Sequence, residues 1–163
     1  TDESVTADER PADHARRLAL VKCREVAARH PGALVLAADT VVAVGRRILP
    51  KAEDEATARA CLALLSGRRH RVLTAIALAA PDGRMRSRLS TSLVQFKRLT
   101  AREIDAYLAG GEWHGKAGGY AIQGAAEALI QRIDGSHSGV VGLPLAETRN
   151  LLLAEGWPEP ALG

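Results

Sequence analysis

One apolar run in the first third of the chain constrains the fold more than any other feature. Leu34 to Ala38 are all apolar, Asp39 and Thr40 interrupt the run, and Val41 to Val44 resume it. A strand with apolar residues on both faces is covered on both sides, so the run predicts a sheet with helices packed against it. A carboxylate in such a run is costly to bury without a cation or hydrogen bonds. Asp39 is therefore either a functional residue or the centre of an Asx-type turn, in which it bonds nearby backbone.

Helical and strand patterns alternate along the rest of the chain, with one hairpin. They predict a single α/β domain, residues 1–156, with a twisted mixed β-sheet flanked by helices, and a C-terminal tail over 157–163. The elements that the patterns predict are helices near 11–30, 53–65, 100–109 and 144–155, strands near 34–44, 48–49, 72–79, 84–96 and 128–133, a glycine-rich stretch over 111–124 and a turn over 135–142.

Composition narrows the class of protein but does not identify partners. Hydrophobic residues make up 47% and charged residues 25% of the 163 residues, as in ordinary globular proteins. No apolar run is long enough to cross a bilayer, and the net charge of +3 is too small to indicate a partner. Cys23 and Cys61 lack the spacing of metal ligands. We therefore expect two reduced thiols in a cytoplasmic protein that does not bind membranes.

Several polar residues are candidates for phosphate chemistry. Lys22 falls on the apolar face of the first predicted helix, where a lysine either reaches the edge of the core or meets an anion. Lys51 follows the short predicted strand, and Lys116 lies among glycines that let the backbone approach a phosphate closely. Neither a P-loop nor a dinucleotide-binding fingerprint is present. His70 and His114 are expected to be surface or hydrogen-bonded histidines.

Two other patterns have weaker functional interpretations. Ser136 and Ser138 flank His137, but this run is more typical of a turn than of a nucleophile elbow. Arg84, Arg86 and Arg88 alternate on one face of a predicted strand and could grip RNA or DNA. Because antiparallel strands commonly turn such a face to water, nucleic-acid binding is the weaker interpretation.

Five blocks in order along the chain resemble the Maf family of nucleotide pyrophosphatases. Together they span nearly the whole sequence, which makes the resemblance far more specific than any single motif. The blocks are Ala38-Asp39-Thr40-Val41-Val42, Leu65 to Val72 (LSGRRHRV), Glu103-Ile104-Asp105-Ala106-Tyr107, Lys116 to Gly124 (KAGGYAIQG) and Val140 to Leu145 (VVGLPL).

The resemblance implies hydrolysis of a nucleoside triphosphate between its α- and β-phosphates, with Mg²⁺ or Mn²⁺ as cofactor. By this resemblance, Asp39 would bind the metal and activate the attacking water, and Glu3 would be a second acidic metal ligand. Lys22, Lys51 and Lys116 match the lysines of the site. Gln123 matches a glutamine near the base, and the 116–123 pattern resembles the branch that acts on dTTP and UTP. A homodimer is a further family expectation.

The chain also departs from the family pattern. Nothing in it corresponds to the Ser-Pro-Arg-Arg loop that opens the family, so we expect the first strand and helix of the family fold to be missing. Pro50-Lys51-Ala52 stands for the usual Gly-Lys-Pro, and Glu112-Trp113-His114-Gly115 precedes Lys116. The rival hypothesis is therefore a non-catalytic nucleotide-sensing or protein-interaction domain linked to cell division.

Overall fold

A computed structural model describes residues 1–158 of the chain. Its helices and strands alternate, as the sequence patterns predict. In chain order they are α1 (Pro11–Arg29), β1 (Val35–Val44), β2 (Arg47–Leu49), α2 (Glu55–Leu65), β3 (Arg69–Ala79), β4 (Met85–Phe96), α3 (Ala101–Ala109), a 3₁₀ helix (Ala125–Leu129), β5 (Ile130–Asp134), α4 (His137–Val141) and α5 (Leu145–Ala154).

The five strands form one sheet in the order β2-β1-β3-β4-β5. The α/β class and the sheet flanked by helices are confirmed, but every pairing between described strands is antiparallel, so the mixed sheet is not observed there. The reason lies in the connection through α2. It joins β2 to β3, which run in the same direction because both are antiparallel to β1, and β1 is inserted between them.

The two faces of the sheet carry different apolar layers, because side chains alternate along each strand. On one face α1 packs Ala15, Ala19 and Cys23 against Val41 and neighbouring residues of β3. On the other face the buried cluster includes residues of α2, α3 and the 111–124 stretch, together with those of β1, β3 and β4: Val42, Cys61, Leu65, Val72, Phe96, Tyr107 and Ile122. Both cysteines are buried free thiols, and burial raises the pKa of each.

The short pairing between β1 and β2 shapes the region of the site. β2 pairs with β1 only over Val42–Val44, whereas β3 pairs with β1 over residues 35–43. Within residues 1–158, the N-terminal half of β1 therefore has a strand neighbour on one edge alone. Asp39 lies in this half of β1.

Local sequence signals account for the starts of three helices. Pro11 occupies the first turn of α1, where its missing N–H costs nothing. Asp54 caps α2 by accepting a hydrogen bond from the Thr57 N–H at 2.7 Å. Thr100 and Glu103 form the predicted capping box of α3.

One of the two alternatives for Asp39 is excluded, and two local predictions were wrong. Asp39 lies inside β1 rather than in a turn, because the ladder with β3 continues through it (Asp39 pairs with Ala75). The last strand begins at Ile130, since the 3₁₀ helix takes residues 125–129. The predicted turn over 135–142 contains α4, whose N-cap Ser136 accepts a hydrogen bond from the Gly139 N–H at 2.9 Å.

The C-terminal tail is described only at its start. The Trp157 N–H donates to the Leu152 carbonyl at 3.0 Å, which continues the end of α5. The rest of the predicted tail, residues 159–163, lies outside the described residues, and the boundary at residue 156 stays a prediction. No helix within residues 1–158 is both long enough and apolar enough to cross a membrane.

Candidate active site

Four charged side chains meet beside the middle of β1. Lys22 Nζ, from α1, lies 2.6 Å from Asp39 Oδ1 and 2.7 Å from Glu3 Oε1. The other oxygen of Glu3 contacts Lys51 Nζ. The position of Lys22 on the apolar face of α1 is thus explained by the anions that it meets. The structure brings together Glu3, Lys22, Asp39 and Lys51, four of the predicted site residues.

The electrostatics of this cluster follow from shared hydrogen bonds. Hydrogen bonds from Lys22 and then Lys51 lower the pKa of Glu3 to about 2. Partial burial works against the charge of Lys22, but hydrogen bonds to Asp39 and Glu3 outweigh it, and the pKa of Lys22 is raised. Glu3 and Lys22 are therefore both charged at neutral pH.

A short backbone ladder places Lys116 beside this cluster. Lys51 forms an antiparallel bridge with Ala117. The Ala52 N–H donates to the Lys116 carbonyl at 3.0 Å, and the Gly115 N–H donates to the Ala52 carbonyl at 2.8 Å. Two lysines that are 65 positions apart in sequence therefore line the same cavity.

Gly118 lets the glycine-rich stretch approach β1 at this point. Its φ is +70°, and a Cβ built on it would lie 2.8 Å from Val42 Cγ1. The Gly118 N–H also donates to the Pro50 carbonyl at 3.1 Å. Only a glycine combines this conformation with this contact, which explains part of the Lys116-Ala117-Gly118-Gly119 pattern.

The cavity at the cluster has a volume of about 250 Å³. It is lined by all three lysines of the predicted site and by Asp39 and Gln123. Gln123 is exposed at its rim, whereas Glu3 is not among the lining residues but holds two of the lining lysines. The other lining residues that reasoning from the sequence did not single out include Thr40, Val42, Val72, Tyr120, Ala121, Val140 and Val141.

Thr40 and α4 form one wall of the cavity through a hydroxyl chain. Thr40 Oγ1 lies 2.9 Å from Thr74 Oγ1, which donates to the Gly139 carbonyl at 2.6 Å. These bonds fix α4, and therefore Val140, relative to β1 and β3. The sequence signal for this wall was Thr40, the polar residue directly after Asp39. Its partner on β3, Thr74, is 34 positions away, so the pairing could not be predicted from the sequence.

Tyr120 belongs to a buried aromatic group behind the cavity. Its hydroxyl lies 2.6 Å from His70 Nε2, and both rings pack against Phe96. His70 is only 2% exposed, and burial lowers its pKa to about 4. The expectation of a surface or hydrogen-bonded histidine is met by hydrogen bonding here, whereas His114 is largely exposed and lies 3.8 Å from Glu53.

The donor set fits a divalent cation that takes its remaining ligands from substrate and water. Glu3 and Asp39 each place a carboxylate oxygen on the same ammonium, so their side chains converge. Mg²⁺ is commonly bound through one or two carboxylates together with substrate phosphates. No group of three or more His, Cys, Asp or Glu side chains suited to a metal occurs within residues 1–158, so an all-protein metal cage is not what this region offers.

Arg84, which directly precedes β4, and Arg86 of β4 are engaged in ion pairs. Arg86 Nε lies 2.9 Å from Glu155, and Arg84 Nε lies 2.7 Å from Asp82. Arg84 also reaches Glu155 at 3.4 Å. Two of the three guanidinium groups proposed for nucleic-acid binding thus have carboxylate partners, and neither lines the cavity.

Lysines and carboxylates thus converge on one cavity beside a helix-covered sheet, an arrangement typical of proteins that act on phosphate compounds. The family model described as Maf-like protein matches residues 1–155, and the chain belongs to that family.

Curated relatives share most of this sequence. A Novosphingobium aromaticivorans protein named dTTP/UTP pyrophosphatase is 67% identical over 155 residues, which cover 95% of this chain and 77% of the relative. A Rhodospirillum rubrum protein of the same name is 62% identical over 156 residues, 96% of this chain and 74% of the relative. A third, from Brucella abortus, is 53% identical over 163 residues, 96% of this chain and 78% of the relative.

Proposed function

We propose that this chain is a metal-dependent nucleoside triphosphate pyrophosphatase that converts dTTP and UTP to the monophosphate and pyrophosphate. The observation that carries the proposal is the cluster in which Lys22 joins Asp39 to Glu3 beside Lys51 and Lys116. The relatives named dTTP/UTP pyrophosphatase support the reaction and the bases. Modified pyrimidine nucleotides are a further proposed substrate class.

Each residue of the cluster has a proposed task. Asp39 and Glu3 would hold Mg²⁺ or Mn²⁺, which would supply positive charge to the triphosphate and make a bound water more acidic. Asp39 accepts the proton of the attacking water. Lys22 holds the two carboxylates in place. Lys51 and Lys116 offset the negative charge on the phosphate oxygens. Much of that charge lies on the departing pyrophosphate.

Gln123 is proposed to recognise the base. Its amide offers both a donor and an acceptor, the pair needed on the edge of a pyrimidine. Its exposed position at the cavity rim leaves room for a base there. We further propose that residues 1–156 form the catalytic domain, that the protein works in the cytoplasm, where its two free thiols stay reduced, and that it forms a homodimer.

The test is pyrophosphate release from a panel of nucleoside triphosphates with Mg²⁺ or Mn²⁺. The chain and a form extended by a family Ser-Pro-Arg-Arg segment are each assayed with and without Asp39→Asn. We expect turnover of dTTP and UTP and a loss of at least about 100-fold in kcat for Asp39→Asn, the scale of a lost general base. Asp134→Asn is the matched control, because Asp134 is an exposed strand aspartate whose ion-pair partner is Arg132.

Two outcomes would contradict the proposal. If neither form released pyrophosphate from any nucleotide of the panel, the non-catalytic nucleotide-sensing domain would be favoured. Equal losses in Asp39→Asn and Asp134→Asn would mean that the aspartate at position 39 has no special role in the reaction.

A further inference from the structure

The segment that carries Glu3 has no helix or strand of its own. Residues 1–10 precede α1 and contain only a short turn. Glu3 nevertheless shares Lys22 with Asp39, a residue of the rigid sheet. Some other contact must fix this irregular segment for Glu3 to keep a defined position.

Glu9 is the centre of a buried polar cluster beneath this segment. Its carboxylate accepts hydrogen bonds from Arg17 Nε at 2.7 Å and Arg17 Nη2 at 3.0 Å. His14 Nδ1 lies 2.8 Å from Glu9 Oε2, and the Thr6 N–H donates to the same oxygen at 3.2 Å. The Glu9 side chain is only 8% exposed. The bonds from Arg17 lower the pKa of Glu9 far below its ordinary value, against the opposing effect of burial.

Arg17 connects this cluster to the residue beside Glu3. Its Nη2 also donates to the Ser4 carbonyl at 2.8 Å. Arg17 belongs to α1, the same helix that presents Lys22 to the cavity. The guanidinium therefore fixes the backbone next to Glu3 relative to the helix that carries the shared lysine. A planar fork of donors suits this task, because one side chain can serve a carboxylate and a carbonyl together.

We propose that Arg17, together with Glu9, is a positioning residue for Glu3, which it holds in place against α1 so that Glu3 and Asp39 form one prearranged pair of metal-binding carboxylates. The inference rests on the proposed function for the identity of the ligand, a divalent cation. Arg17 touches neither substrate nor metal in this role. It acts in the way that outer partners orient metal ligands in other proteins, where their removal costs about 10- to 100-fold in metal affinity.

The test replaces Arg17 with methionine, which keeps the apolar part of the side chain. Since Arg17→Met alone removes the guanidinium that pairs with the Glu9 carboxylate, a second variant combines it with Glu9→Gln. Arg16→Met is the matched control, because Arg16 is the neighbouring arginine of α1 and is exposed. Two properties are measured without nucleotide: amide hydrogen exchange at Thr6, and Mn²⁺ binding by electron paramagnetic resonance.

We expect exchange at Thr6 to accelerate about tenfold or more in both Arg17 variants, since its N–H loses a fixed acceptor. We expect the Kd for Mn²⁺ to rise at least about tenfold. Arg16→Met should change neither quantity. If Arg17 acts through Glu3, adding Arg17→Met to Glu3→Gln should not weaken Mn²⁺ binding beyond the effect of Glu3→Gln alone.

Unchanged exchange at Thr6 in both Arg17 variants would overturn the inference, as would additive losses of Mn²⁺ affinity in the combined Glu3 and Arg17 variant. A parent chain that binds no Mn²⁺ would instead overturn the metal part of the proposed function. In that case the exchange at Thr6 alone decides whether Arg17 positions the segment.

Discussion

The imidazole of His70 should make the stability of this protein depend on pH in a narrow window. The ring is 2% exposed, and no hydrogen-bond partner for Nδ1 is found within the described chain. The rings of Phe96 and Tyr120 pack against it, and the Tyr120 hydroxyl reaches Nε2 but not Nδ1, so the imidazolium would keep one N–H without an acceptor. Burial therefore lowers the pKa of His70 from 6.5 to about 4.

The sign and size of the effect follow from linkage between folding and protonation. Below pH 6.5 the unfolded chain binds a proton at His70 that the folded protein excludes until the pH approaches 4. The free energy of unfolding should therefore be unaffected by His70 above about pH 7 and fall as the pH decreases. The penalty amounts to about 2 kcal/mol at about pH 5 and about 3 kcal/mol once both states are protonated.

Urea unfolding at about pH 7.5 and about pH 5 measures this difference. The variant His70→Phe keeps a ring in the stack but cannot titrate, so its loss of stability between the two pH values should be about 2 kcal/mol smaller than that of the parent chain. Tyr120→Phe is the control, because it removes the hydrogen bond and leaves the buried imidazole in place. Glu3, with a pKa of about 2, loses its favourable contribution only at lower pH. A His70→Phe protein with the same pH dependence as its parent would refute the reasoning.

The remaining predictions concern the glycine-rich stretch. Gly118→Ala should lower the free energy of unfolding by about 2 kcal/mol or more, because its Cβ would lie 2.8 Å from Val42 Cγ1. Gly32→Ala is the control, since Gly32 has a similar positive φ and no atom within 4 Å of the added Cβ. It should cost only about 1 kcal/mol, measured by thermal or urea unfolding. Equal costs would mean that the contact with Val42 relaxes freely. Lys116→Met should raise the KM for dTTP about tenfold and make this KM less dependent on salt concentration. Lys116→Arg should recover part of the affinity. An unchanged KM in Lys116→Met would mean that Lys116 does not contact the phosphates.

Reasoning from the sequence succeeded where a signal is local or where blocks follow one another in order. The capping box at Thr100 and Glu103 is such a case, because both partners lie within one turn. The strand that contains Asp39 is another, since its apolar run is continuous on both sides. The end of the 111–124 stretch was harder, because the 3₁₀ helix that delays β5 depends on tertiary contacts rather than on periodicity.

The sequence did not predict the long-range pairings between side chains. Nothing near Thr40 reveals Thr74, and nothing near His70 reveals Tyr120, which lies 50 positions away. The antiparallel pairing of the sheet was not predicted for a similar reason. A strand, a helix and a strand in succession are typical of parallel neighbours, and only the full topology shows that β1 separates the two strands that α2 connects.

The residues of the site come from both faces of the sheet. Asp39 and Thr40 are consecutive, so their side chains point to opposite faces of the sheet, yet both line the cavity. The cavity therefore receives side chains from both faces of β1. The α1 face supplies Lys22, and the ladder that follows β2 supplies Lys51 and Lys116. Residues from two faces of one sheet thus serve a single site.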